Sequence, residues 1–333
     1  MNNSIDHNRI RGKKVLVTGG AGFVGSNLVD KLVELEAEVT VLDDLFTGDL
    51  NNIRYRGSIY FKFGSVTDKE LVDELVSKAD IVFHIACRNI ILSTKDPYQD
   101  FQVNVWGTLN VLLAAKIHRP KRVVLSSSAS VYGNALYLPI NENEGLRPLN
   151  PYAASKLSAE NYCTAFYESF DVPTTILRYS NVYGIKQNPL NPYCGVISKF
   201  FDSIIKGNSP KIHGDGEQTR DFTYIDDVVD ATIIAAISPK TEGEVYNVGS
   251  GIETSVNELM RKVLKISSTN LIPKYVYSRD IDNVRRRVLN IEKMRKTLHY
   301  VPSTPLEYGL KKTYDWLMET YINNLSRDVK PTG

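Results

Sequence analysis

The sequence predicts an α/β fold: a doubly wound, mostly parallel sheet with helices on both faces, followed by a smaller α/β substrate-binding lobe. Three observations predict it. Apolar strand-like runs alternate with helix-like segments through the first half of the chain. The strand runs are almost continuously apolar, as strands buried on both faces are. A glycine-rich turn joins the first strand to the first helix.

In order, "KKVLVTGGAGFVGSNLVDKLVELEAEVTVLDD" reads as a strand at Val15 to Thr18, a turn, an amphipathic helix and a second strand at Val39 to Leu42. That is a βαβ unit. The rhythm repeats in "IYFKFG", "KELVDELVSKA", "DIVFHIA", "FQVNVWGTLNVLLAAKI", "KRVVLSSS", a helix from Pro151, and "TTILRYS". After about Gly184 it breaks, and "KQNPLNPYCG" and "GDGEQTRDF" are rich in turn formers. The expected division is residues 1–184 for the first lobe and 185–333 mainly for the second, with segments near 225–250 returning to the first.

Composition narrows the function. Lys plus Arg minus Asp plus Glu is 40 − 38 = +2 across 333 residues, so no strong field points to nucleic acid or an anionic membrane. The N-terminal "MNNSIDHNRIRGKK" is polar and no later apolar run is long enough to cross a bilayer, which predicts a soluble, cytoplasmic protein. Three cysteines, Cys87, Cys163 and Cys194, are an odd number at no metal-ligand spacing and read as reduced core thiols. The five histidines form no HxxxH or HxH pair, so no metal is expected.

The turn "TGGAGFVGSN" places glycines at 19, 20, 22 and 25, between a strand and a helix. In that context the backbone can approach a pyrophosphate at the helix N-terminus, where unpaired N–H groups favour negative charge. Asp43 follows Gly25 by 18 residues (43 − 25) at the end of the second strand, where a carboxylate can accept hydrogen bonds from an adenosine ribose. It would repel a 2′-phosphate, and no arginine or lysine occupies Asp44 to Asn52, so NAD is expected rather than NADP.

"NPYAASK" opens a helix with proline in its first turn and sets Tyr152 and Lys156 on one face. Alone, such a pair is most often a half-buried tyrosine beside a surface lysine. Beside a dinucleotide it gains a chemical use. A phenol titrates near pKa 10 and is a poor base at neutral pH. At an effective dielectric near 20, a positive charge about 5 Å away stabilises phenolate by roughly 3 kcal/mol, or about two pKa units. "VVLSSSASVYG" supplies Ser126, Ser127 and Ser128 at a strand end to hold a substrate oxygen.

Together "TGGAGFVG", "VLDDLFTG", "HIA", "VNVWGTLNVLLAA", "SSSASVYG", "YAASK", "LRYSNVYG", "GDGEQTRDFTYIDDVV" and "YNVGSG" closely resemble the extended short-chain dehydrogenase/reductase family, in its NAD-dependent nucleotide-sugar epimerase/dehydratase branch. The likeness runs from about Lys14 to Trp316 and is greatest to UDP-sugar 4-epimerases. It implies a Rossmann-type fold, Ser128, Tyr152 and Lys156 as catalytic residues, and a homodimer formed through the helices carrying "VNVWGTLNVLLAA" and "YAASKLSAENYCTAFYESF". Implied NAD contacts are Gly19, Gly22, Phe23, Val24, Gly25, Asp43, Asp44, Thr47, Gly48, Ser65, Val66, Ile85, Ala86, Asn104, Ser126, Tyr152, Lys156 and Tyr179. Implied nucleoside-diphosphate-sugar contacts are Arg88, Ser128, Asn181, Gly195, Val196, Arg220, Arg279 and Asp282. Ser65 departs from the aspartate often found there.

Members resembling dehydratases carry an Asp-Glu pair before "VYG", and decarboxylases tend to carry a glutamate. Here Ala129 and Ser130 stand at those positions and cannot shuttle protons as a carboxylate does. The expected reaction is therefore 4-epimerisation of a UDP-sugar (UDP-glucose/galactose or UDP-N-acetylhexosamine) through a transient 4-keto sugar. The alternatives are UDP-glucuronate 4-epimerisation, a dehydratase or decarboxylase using Glu142 or Glu144, and a non-catalytic NAD-binding protein.

Overall fold

The computed structural model describes residues 6–189, 191, 194–278 and 283–328. A short helix, α1 (His7–Ile10), leads into β1 (Lys14–Thr18), α2 (Phe23–Glu34), β2 (Glu38–Asp43) and β3 (Ile59–Phe63). Next come α3 (Lys69–Val76), β4 (Ile81–His84) and the short α4 (Ile90–Lys95) and α5 (Pro97–Asp100). A π-helical stretch, Phe101–Trp106, runs into α6 (Gly107–His118), succeeded by β5 (Arg122–Ser128), α7 (Pro151–Phe170) and β6 (Thr174–Tyr179). The remainder comprises β7 (Asn181–Tyr183), α8 (Val196–Ile205), β8 (Lys211–His213), β9 (Thr219–Tyr224), α9 (Ile225–Ile237) and β10 (Glu244–Val248). Last are β11 (Glu253–Ser255), α10 (Val256–Ile266), β12 (Lys274–Val276), α11 (Glu292–Leu298) and α12 (Leu306–Asp328). Among the described residues no helix is long and apolar enough to cross a membrane.

The main sheet has seven strands in the order β10-β6-β5-β4-β1-β2-β3, and every pairing is parallel. The chain winds outward from β1 through β2 to β3, then crosses back to place β4 on the other side of β1. This reversal opens a crevice at the carboxyl ends of β1 and β4, the place where doubly wound folds bind ligands. The core divides as strand alternation requires. Val15, Val17, Ile81 and Phe83 face one side with α2 and α9, while Leu16 and Val82 face the other with α3, α6 and α7.

The second lobe carries two small sheets, β11-β9-β7 and β12-β8. β7 pairs with β9, so the small sheet begins before Gly184, while β10 joins the edge of the main sheet beside β6. Arg220 and Asp221 are neighbours on β9, but alternation sends them apart. Asp221 is fully buried, and its carboxylate accepts from Ser250 N–H (2.7 Å), Ser250 Oγ (2.7 Å), Gly251 N–H (3.1 Å) and Leu289 N–H (3.2 Å).

One buried ion pair locks α7 to β6. Arg178 Nη2 lies 2.7 Å from Glu160 Oε2, with both side chains 4% exposed. Ser127 Oγ also donates to Glu160, and Arg178 Nη1 donates to Tyr132 (2.9 Å). Replacing Arg178 by Met strands a buried carboxylate, and the expected loss is about 3–5 kcal/mol in urea denaturation; a loss below about 1 kcal/mol would mean the pair behaves like a surface one. On α9, burial pushes Asp230 up to about 6, Lys31 opposes this, and Asp226 and Asp227 add to it. A carboxyl raised in the folded state contributes stability that is full below the reference value of 3.8 and is lost as pH rises through about 6. Asp230→Asn is therefore expected to raise the melting temperature at pH 8 and leave it nearly unchanged at pH 4.

Candidate active site

A cavity of about 460 Å³ occupies the crevice and is lined from both lobes. Its floor is the glycine turn between β1 and α2. Gly19 has φ +70°, and a Cβ there would lie 2.7 Å from the Ala86 backbone. A Cβ on Gly25 would collide with the Gly19 carbonyl oxygen, so that contact admits only glycine. Gly22 caps α2, and Phe23, Val24 and Gly25 line the cavity with first-turn N–H groups, no acidic residue among them. At the end of β2, Asp43 Oδ2 accepts from Ala21 N–H (2.9 Å) and Oδ1 from Leu45 N–H (2.8 Å). Burial raises the Asp43 pKa while these donors hold it down. Asp44, Thr47, Gly48, Ser65, Val66, Ile85 and Ala86 complete this end.

The opposite end is reached by α7. Asn150 caps it, its side chain accepting from Ala153 N–H (2.9 Å), and Pro151 occupies the first position. Tyr152 lines the cavity. Lys156, 3% exposed, donates from Nζ to the Ser126 carbonyl (2.8 Å) and lies 5.9 Å from the Tyr152 ring centre. The three serines of β5 separate by environment. Ser126 Oγ donates to the His84 carbonyl (3.2 Å), Ser127 Oγ to Glu160, and only Ser128 remains partly exposed, accepting from Ser130 N–H (3.1 Å).

Asn181 and Gly195 also line the cavity; Val196 begins α8 just beyond it. Several expected contact residues sit behind the wall instead. Tyr179 is buried with its hydroxyl 2.8 Å from Thr232 Oγ1, and burial raises its pKa. Asn104 is buried and forms a fork on the Arg88 backbone, accepting from N–H (2.7 Å) and donating to C=O (3.1 Å). Arg88 lines the cavity, but its guanidinium is taken by Asp44 (2.6 Å) and lies over Phe46, 4.1 Å from the ring centre. Arg220 donates to the carbonyls of Thr219 and Val284, both at 2.8 Å, away from the cavity lining. Arg279 and Asp282 lie outside the described residues.

Cys163 is a buried core thiol, whereas Cys87 and Cys194 line the cavity rather than the core. Ser180, between β6 and β7, also lines it, as do Lys186 and Gln187, which follow β7 in a turn whose path depends on the second lobe. Glu142 and Glu144, the alternative proton shuttles, lie elsewhere: Glu142 Oε1 accepts from Asn247 N–H (2.9 Å) and Glu144 Oε1 from Leu136 N–H (3.1 Å).

Residues 15–249 match the NAD dependent epimerase/dehydratase family, and the chain belongs to it. UDP-glucose 4-epimerase of Mycolicibacterium smegmatis is 35% identical over 91% of this chain and 98% of its own. The crystal structure of UDP-glucose 4-epimerase with UDP-glucose from Thermotoga maritima superposes with a TM-score of 0.89 at 35% identity, covering 92% of this chain and 99% of that one. The dTDP-D-glucose 4,6-dehydratase of Homo sapiens is 34% identical over 96% of this chain and 94% of its own, so identity alone does not separate the reactions. NAD is the cofactor of this family, and the residues present fit it: a glycine cradle that a Cβ would fill, unpaired helix N–H groups and a carboxylate at the end of β2. Gly25→Ala is expected to weaken NAD binding by at least about tenfold, equivalent to 1.4 kcal/mol, in a titration monitored by tyrosine and tryptophan fluorescence.

Proposed function

We propose that this protein is a UDP-sugar 4-epimerase acting on a neutral hexose or N-acetylhexosamine. One observation carries the proposal: Tyr152 reaches the cavity with the Lys156 ammonium buried close to its ring, while Ala129 and Ser130 stand where a proton-shuttling carboxylate would be needed for elimination or decarboxylation. Neither Glu142 nor Glu144 lines the cavity; each accepts from a backbone N–H elsewhere.

The Lys156 charge stabilises the phenolate of Tyr152, which takes the proton of the sugar C4 hydroxyl and becomes the neutral phenol. The Ser128 hydroxyl holds the same oxygen beside it. NAD held on the glycine turn and beside Asp43 would supply a hydride acceptor that is regenerated in each turnover, so no net redox change would result. Tyr152 then reprotonates the oxygen after the 4-keto sugar has presented its other face. The second lobe anchors the nucleoside diphosphate; Arg220 and Arg279 are the cations assigned to it by family pattern.

Incubation of the purified protein with UDP-glucose, UDP-N-acetylglucosamine and UDP-glucuronate in turn, monitored by NMR, is expected to yield a C4 epimer from one of the first two. A stable keto or decarboxylated product would refute the reaction, and epimerisation of UDP-glucuronate alone would refute the sugar class. Tyr152→Phe should lower turnover by about 10²–10⁴-fold, the usual range for an acid–base residue, without loss of NAD; near-normal turnover would remove Tyr152 from the role of base.

We also propose a cytoplasmic homodimer built on α6, α7 and the stretch before α6. Phe101 (52%), Trp106 (48%) and Tyr162 (40%) are exposed there, an apolar surface suited to a self-complementary interface. Trp106→Glu is expected to convert a dimer to a monomer in light scattering.

A further inference from the structure

We propose that Arg88 and Asp44 form a clasp that retains the dinucleotide, making Arg88 a positioning residue for the cofactor rather than a reader of the sugar. The inference rests on the NAD site described above. Arg88 leaves the carboxyl end of β4 and Asp44 that of β2, and β1 with its glycine turn lies between those strands. Two strand spacings separate the loops, about 9–10 Å, and the arginine side chain spans the gap. Nη2 meets Asp44 Oδ2 at 2.6 Å and Nη1 meets Oδ1 at 3.4 Å. Both residues line the same cavity as Gly22 and Gly25, so the bridge crosses the crevice in which a dinucleotide seated on the turn must lie.

Three features make the bridge a built element. Phe46 supports the guanidinium face at 4.1 Å, which orders the fork. The two side chains are 12% and 26% exposed, so solvent screens the pair only in part. The Arg88 backbone is gripped by Asn104, which also donates to Asp100 (2.6 Å) and to Ser155 (3.1 Å), a residue of the helix turn that carries Tyr152 and Lys156. The clasp is thereby tied to the catalytic helix. An enzyme whose cofactor is regenerated in every turnover gains from slow cofactor release, and the clasp supplies it.

The test measures NAD content after purification and the rate of NAD release into an enzymatic trap, for Arg88→Met, Asp44→Asn and the double variant. Each single variant should release NAD about tenfold faster or more, with the double no worse than either single, because one shared bond is lost. The melting temperature of the NAD-free proteins separates a local effect from general loosening and should change little. Unchanged release in the single variants overturns the clasp, as does faster release in Arg88→Met with none in Asp44→Asn, which would assign Arg88 a contact of its own. A wild-type protein that binds no NAD even when NAD is added would overturn the cofactor site itself, and the clasp with it.

Discussion

The closest approach at any glycine among the described residues is that of α2 to the glycine turn. With the Gly25 Cα packed against the Gly19 carbonyl, no side chain can enter, and the Gly19 α-carbon likewise faces the Ala86 backbone. These two contacts draw the first turn of α2 and the end of β4 against the carboxyl end of β1. The crevice at the strand reversal then has a floor of backbone N–H groups instead of side chains, and a phosphate can come close to it. The other functional groups are arranged around this floor.

α7, which carries Tyr152 and Lys156, is held from several sides. Lys156 donates to the backbone of β5, Ser155 reaches Asp100 (3.0 Å) and Asn104, and Glu160 is paired with Arg178. Buried polar groups in such a network are all partnered, so the helix cannot rotate without leaving several unsatisfied. The fixed helix sets Tyr152 at the cavity. His84, beneath it, lies between Thr18 Oγ1 (2.8 Å) and Thr108 Oγ1 (3.0 Å), and burial, with a smaller effect of Lys156, lowers its pKa to about 3, so it stays neutral and adds no charge beside the lysine.

The choice among reactions does not reside in the fold. Removal of the C4 hydroxyl proton and of the C4 hydrogen as hydride is common to the family's chemistries, and the fate of the 4-keto sugar depends on whether a second acid or base stands near it. Ala129 and Ser130 occupy the short turn after β5 and offer a methyl group and a hydroxyl. The carboxylates nearest in sequence, Glu142 and Glu144, cap backbone N–H groups in structural roles.

Local pattern determined much of this protein. Strand and helix periodicity, the glycines at 19, 22 and 25, Asp43 at a strand end and the Tyr152–Lys156 spacing are features of neighbouring residues, because backbone sterics and side-chain direction act over a few positions. What only the tertiary structure decided involves partners far apart in the chain. Arg88 lines the cavity but is paired with Asp44 from another strand, and Asn104 and Tyr179 are buried, bonded to the Arg88 backbone and to Thr232. Cys87 and Cys194 read as core thiols, yet they line the cavity. In each case the side chain is long or polar enough to serve several roles, and the group that selects one lies on another strand or helix, where sequence spacing carries no information.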